Sequence, residues 1–177
     1  MKKKITLLVL IIGFVYACKS PKSKEVNPED LVKTATYAFS DTTKLDTFKV
    51  AIIGKQLNEM KLVFTIRSFN GTELYKQEVS ANELLKNYLA SAEMKDDEDK
   101  VNFLKEEVSY FFDEKHFLEP AVMENDNPDK NVPDVAFYNE LKKSNLNGFE
   151  YRFSKEKSYY IAWSAKEQKV KVYYKCC

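Results

Sequence analysis

An α+β fold is what this sequence predicts: an antiparallel sheet of hairpins and a C-terminal three-stranded meander, covered on one face by two or three helices. Three observations carry that expectation. Apolar and polar residues alternate in several runs from Phe48 onward, an Asn-Gly pair separates two of those runs, and helical stripes interrupt the pattern.

Phe48, Val50 and Ile52 alternate, as do Leu62, Phe64 and Ile66, with β-branched and aromatic residues around them. Asn70-Gly71 suits a two-residue type I′ turn, which needs positive φ at both positions and would pair residues 62–69 with 72–79. That register sets Ile66 opposite Tyr75 and Leu62 opposite Val79. One face of the hairpin is then apolar, while Lys61, Thr65, Arg67, Lys76 and Glu78 turn the other way, as in a sheet covered on one side.

Ser80-Ala81-Asn82-Glu83 fits a capping box, and behind it Leu84, Leu85, Tyr88, Leu89 and Ala92 form a helical stripe. The acidic run Asp96-Asp97-Glu98-Asp99 reads as a solvated loop or a helix start. Residues 101–112 fit a helix through Val101, Leu104, Val108 and Phe111, and a strand through Val108, Tyr110 and Phe112. The expectation there is a short helix followed by a hairpin turning at residues 113–115. Residues 125–132 have a loop composition, Pro133 suits the first position of a helix carrying Phe137, Tyr138 and Leu141, and Asn147-Gly148 would end it. The meander follows from Phe149-Tyr151-Phe153, Tyr159-Ile161-Trp163 and Val170-Val172-Tyr174. With those sets inward, Arg152, Tyr160, Lys171 and Tyr173 fall on the outer face, a mixture of tyrosine and cation suited to a binding patch.

The residues for chemistry are sparse. His116 is the one histidine, so a catalytic triad would have to use it, and its setting reads as the shoulder of a hairpin. A multi-histidine zinc site is excluded by the same count, and the isolated Gly54, Gly71 and Gly148 form no phosphate-cradling loop. Glu124, Asp126, Asp129 and Asp134 crowd one loop, but their spacing does not match a calcium-binding template. No catalytic, cofactor or metal residue is assigned.

At the N-terminus, Met1-Lys2-Lys3-Lys4 precedes the uncharged stretch Ile5–Ala17, the basic and apolar parts of a signal peptide. The apolar run is shorter than the about 20 residues of a spanning helix. Val15-Tyr16-Ala17-Cys18 resembles the lipobox of bacterial lipoproteins cut by signal peptidase II, and the chain resembles small uncharacterised lipoproteins of the Bacteroidota. That resemblance implies diacylglycerol on the Cys18 thiol, an acylated amino group (palmitate among its chains), and attachment to a membrane through lipid. Lys19 stands where an Asp would imply retention in the inner membrane, so the resemblance implies the outer membrane. The segment Lys19–Lys24 lacks the acidic pair of a surface-export signal, which favours the periplasmic face. Asp41-Thr42-Thr43 resembles the short O-glycosylation site of the same group.

The division expected is a signal peptide at 1–17, the lipidated cysteine and a polar tether at 18–35, and one α+β domain at 36–177, with folding starting near Thr36. Residues 1–17 hold three of the 28 basic residues and none of the 27 acidic ones, so the chain from Cys18 on has a formal charge of −2, which implies no nucleic-acid partner. Adjacent α-carbons lie about 3.8 Å apart, below the usual disulfide range, so a bridge between Cys176 and Cys177 would be strained. The pair is left as a reducible tail, as an intermolecular disulfide through Cys176 or Cys177, or as a site for a soft metal. The leading functional expectation is a non-enzymatic binding or scaffold lipoprotein with a protein partner. The alternatives are an inhibitor or immunity protein against a periplasmic toxin or cell-wall hydrolase, and an enzyme using acidic residues.

Overall fold

The computed structural model describes residues 31–86, 88, 94–154 and 156–176. The signal region, Cys18, Leu89, Ala92 and Cys177 lie outside them. The fold is α+β as expected, built on two four-stranded antiparallel sheets, the second of which contains the C-terminal meander. The first sheet is a meander of β1 (Val32–Ala38), β2 (Leu45–Ile53), β3 (Lys61–Arg67) and β4 (Glu73–Ser80). Helices α1 (Ala81–Lys86) and α2 (Asp97–Tyr110) follow. The second sheet runs β5 (Phe117–Leu118), β6 (Gly148–Ser154), β7 (Lys157–Ser164) and β8 (Lys169–Cys176), with α3 (Val135–Ser144) between β5 and β6. Strand β1 begins at Val32, so regular structure starts four residues before Thr36.

The β3–β4 register is the one the alternation requires, Leu62 opposite Val79 and Ile66 opposite Tyr75. The turn differs. Only Gly71 has positive φ (87°), the Gly71 N–H donates to Ser68 O at 2.7 Å, and the Ser68 N–H donates to Thr72 O at 2.9 Å. This is a three-residue loop with the glycine in the left-handed region, and Arg67 consequently shifts to pair with Glu73. Asp46 pins the loop from below: wholly buried, its carboxylate accepts from the Phe69 N–H at 3.0 Å and the Ser40 N–H at 2.6 Å.

Ser80 caps α1 as expected, its Oγ accepting from the Glu83 N–H at 3.1 Å. The ambiguous segment resolves as helix. Asp96 caps α2 by accepting from the Asp99 N–H at 2.9 Å, and the helix runs to Tyr110. No hairpin forms at residues 113–115; a 3-10 turn at Glu114–His116 leads into β5, which pairs with β6. The reason lies in Phe111 and Phe112, consecutive rings that both enter the core and so cannot alternate as a strand. Phe111 lies 5.1 Å from Phe64, and Phe112 lies 5.8 Å from Phe149.

The inner faces of the sheets meet in one aromatic core. Phe48 and Phe64 from the first sheet reach Phe149 of the second at 5.2 and 5.4 Å between ring centroids, and all three are fully buried. Each such ring contributes about 1.5–3 kcal/mol by leaving water, and favourable ring geometry adds to that. The Tyr75 and Tyr151 hydroxyls meet inside at 2.6 Å.

A second cluster lies on the far side of the second sheet. There Phe137, Tyr138 and Leu141 of α3 pack over Ala162 and Tyr173. Helix α3 starts at Val135, two residues later than Pro133 suggested, with Asp134 as its cap, and stops at Asn145 in the left-handed region (φ 52°) rather than at Asn147-Gly148. Gly148 instead opens β6. Trp163 on β7 packs against both clusters.

Candidate binding groove

The local chemistry of α3 builds a groove on the surface. Asp134 accepts from the Phe137 N–H at 3.0 Å and so satisfies one unpaired donor of the first turn. The same carboxylate accepts from Lys171 Nζ on β8 at 2.8 Å. Lys171 also bonds Glu167, in the turn between β7 and β8, and sits 4.9 Å above the Phe137 ring. One ammonium thus ties the helix start to the sheet. Further along α3, Glu140 accepts from Ser164 Oγ at the end of β7 at 3.0 Å and from the Lys166 N–H in that turn at 3.3 Å.

These groups line a groove of about 350 Å³, with Asn139, Lys143 and Lys166 also on its wall. Hydrogen bonds from Lys171 and from the Phe137 N–H hold the Asp134 carboxyl below its ordinary range. Lys169 and Lys171 do the same for Glu167, and the two carboxylates in turn raise Lys171. Asp134, Glu167 and Lys171 are therefore ionised together around neutral pH. They present fixed charge and hydrogen bonds, which suits binding, and none of the three is poised to exchange a proton near pH 7.

The four residues expected to form an outer patch do not form one exposed surface, although the Tyr160 and Tyr173 rings meet at 6.2 Å. Lys171 lines the groove, and Arg152 is exposed on β6, where its charge acts on Glu107 and Tyr88. Tyr160 is half-buried beside Tyr174, Glu150 and Cys176, and burial raises its phenol. Tyr173 is 3% exposed beneath α3. One fact overturns the surface reading. The outer face of the second sheet is covered, because the apolar stripe of α3 needs a dry partner. A bulge then breaks the β8 alternation: Ile161 pairs with Val172 and Tyr160 with Tyr174, so Tyr173 and Tyr174 both turn toward α3. Tyr174 accordingly leaves the inward set to which strict alternation assigned it.

The acidic loop is spent locally. Asp126 accepts from the Met123 N–H at 3.0 Å, while Asp129 accepts from the Asn131 N–H at 2.8 Å and the Tyr174 hydroxyl at 3.0 Å. Among the described residues no three His, Cys, Asp or Glu side chains are grouped to hold a metal ion. His116 sits half-buried on the 3-10 turn, not on a hairpin shoulder, and its Nδ1 donates to Phe111 O at 3.1 Å. Asp41 accepts from the Thr43 N–H and hydroxyl, both at 2.8 Å, with Thr42 and Thr43 exposed. Cys176 ends β8, half-buried and opposite Ser158.

No family model, no curated protein and no solved structure matches this chain. No helix among the described residues is long and apolar enough to cross a membrane. The residues that sequence reasoning missed are Glu140, Lys166 and Glu167. Their signal was faint, since they meet Asp134 and Lys171 only once α3 folds over the second sheet. The aromatic parity of Tyr160 and Tyr173 was the clue that this face is dry.

Proposed function

We propose that this chain is a lipid-anchored binding protein of the bacterial outer membrane, held at the periplasmic face by acyl chains on Cys18 and acting without catalysis. The observation that carries the reading is the lipobox Val15-Tyr16-Ala17-Cys18 behind a signal sequence, followed by a polar segment that leads into β1 at Val32. Several acyl chains, at about 0.8 kcal/mol per buried methylene, hold a protein on a bilayer without a spanning helix. The locked charges of the α3 groove favour recognition over proton transfer, and they suit a protein partner that carries both charge signs.

Metabolic labelling with an alkyne analogue of palmitate tests the anchor. Label is expected on the wild-type chain and not on Cys18→Ala, and inhibition of signal peptidase II should leave the uncut precursor. Labelled Cys18→Ala would sink the reading. For the groove, capture from membranes with wild type and with Lys171→Glu should recover different proteins; identical recoveries would remove the groove from the function.

A further inference from the structure

The outer face of the first sheet combines cationic and exposed aliphatic side chains. Alternation places Val32, Thr34 and Thr36 of β1, Thr47, Lys49 and Ile53 of β2, and Lys61, Thr65 and Arg67 of β3 on it, with Lys76, Glu78 and Glu73 from β4. No described element packs on this face. Helices α1 and α2 send their buried residues into the core between the sheets, and α3 lies beyond the second sheet.

Two properties of the face point to one occupant. The first is charge. Lys49, Lys61, Arg67 and Lys76 outnumber Glu73 and Glu78, a positive excess in a chain that is formally −2 from Cys18 on. Lys61 and Lys76 share Glu78, at 3.7 and 2.7 Å, which leaves Lys49 and one cationic equivalent of that trio uncompensated among the described residues. The second is apolar exposure. Val32 (42%), Leu45 (56%) and Ile53 (50%) are exposed large hydrophobic residues, and all three lie at outward positions of β1 and β2. Cations on long stems interspersed with exposed aliphatic groups match a headgroup layer, where the ammonium stays hydrated and the stem and aliphatic groups bury.

The position of the chain's entry agrees. The segment from Cys18 reaches the sheet at Leu31, beside Val32 at the corner of this face, and its 12 intervening residues span at most about 43 Å. We infer that the outer face of the first sheet docks onto an anionic lipid bilayer, so that the protein lies with this sheet against the membrane and the α3 groove turned away. The inference rests on the lipid anchor at Cys18, which brings the face within reach. Each lysine near an anionic surface strengthens the contact about fivefold, an effect confined to the Debye length.

Lysine footprinting of the lipidated protein on vesicles tests this. The protein is reconstituted into phosphatidylcholine vesicles with and without phosphatidylglycerol, acetylated with a water-soluble reagent, and read by mass spectrometry. Labelling of Lys49, Lys61 and Lys76 should fall several-fold on the anionic vesicles and recover in about 1 M salt. Lys143 and Lys166, beside α3, should stay reactive throughout. In a Lys49→Gln, Lys76→Gln variant, Lys61 should regain its reactivity on anionic vesicles. Equal labelling on both lipids, while the protein floats with the vesicles, would overturn the docking face and leave the anchor standing. Protein that fails to float overturns the anchor and the docking together. Protection that follows protein density rather than lipid charge would identify a second copy as the occupant and also defeat the inference.

Discussion

Both sheets are four-stranded antiparallel meanders, yet the first turns one face to solvent while the second is packed on both. In β2 every outward position but Ala51 is exposed, and every inward one is buried. In β7 the pattern blurs, with Ser158, Tyr159 and Tyr160 all half-buried and Ile161 and Ala162 both buried in succession. The difference follows from what lies outside each sheet. One apolar face gives a clean period of two, whereas a sheet between two dry layers tolerates apolar residues at consecutive positions. Topology alone therefore says little about how a strand's sequence will read.

The contrast can be broken most severely at the shared core. Phe64→Ala removes a fully buried ring that touches both sheets and should cost about 3–5 kcal/mol, against less than about 0.5 kcal/mol for Thr65→Ala on the wet face, both read from urea midpoints. Similar losses at the two positions would mean that the solvated face is not solvated.

A smaller effect tests the second dry face. A Cβ added at Gly148 would lie 2.8 Å from the Tyr173 hydroxyl and 3.0 Å from Ala121 Cβ, so Gly148→Ala should cost about 1–3 kcal/mol by overpacking. Tyr173→Phe in the same chain should return part of that loss, and a double-mutant cycle would measure how much. Strict additivity would show that the tyrosine is not what Gly148 makes room for.

Asp134→Ala should cost about 1 kcal/mol at neutral pH through loss of the α3 cap. The pair with Lys171 is partly open to water and adds little. Because the folded carboxyl titrates below its unfolded value of about 3.9, its contribution is complete above that value. It fades as pH falls through the lower, folded titration point. The gap between wild type and variant in thermal melts should therefore close in acid, and a gap independent of pH would argue against the cap.

The smallest change expected has the opposite sign. Burial raises the Glu107 carboxyl, so its ionised form disfavours the fold once pH rises through the folded titration point. Glu107→Gln should then raise stability at neutral pH by about 0.5 kcal/mol and leave it unchanged in acid. A loss at neutral pH would show that attraction to Arg152 outweighs burial.

Much of the first sheet was legible because its cues are local. Residues 62–67 and 72–80 set their own register, and Ser80 marks the helix that follows. The turn between them was less so, since type I′ and the three-residue alternative share the same Asn-Gly pair. Phe111 and Phe112 were opaque because helix and strand patterns overlap there, and the packing that decides between them comes from Phe64 and Phe149, distant in sequence. The binding patch failed for a similar reason. The cover of α3 cannot be read from one strand, and without it parity places a buried tyrosine at the surface, while the bulge at Tyr173 re-aims only Tyr174.

Trp163 is the one tryptophan in 177 residues, and it borders both the aromatic core between the sheets and the cluster beneath α3. Its indole is a built-in optical probe of two packing layers at once. If α3 lifts from the second sheet before the sheets separate, emission during denaturation should move in two steps from a single fluorophore. If the layers melt together, one step should superimpose on the far-ultraviolet signal, and the order of disassembly becomes readable without a label.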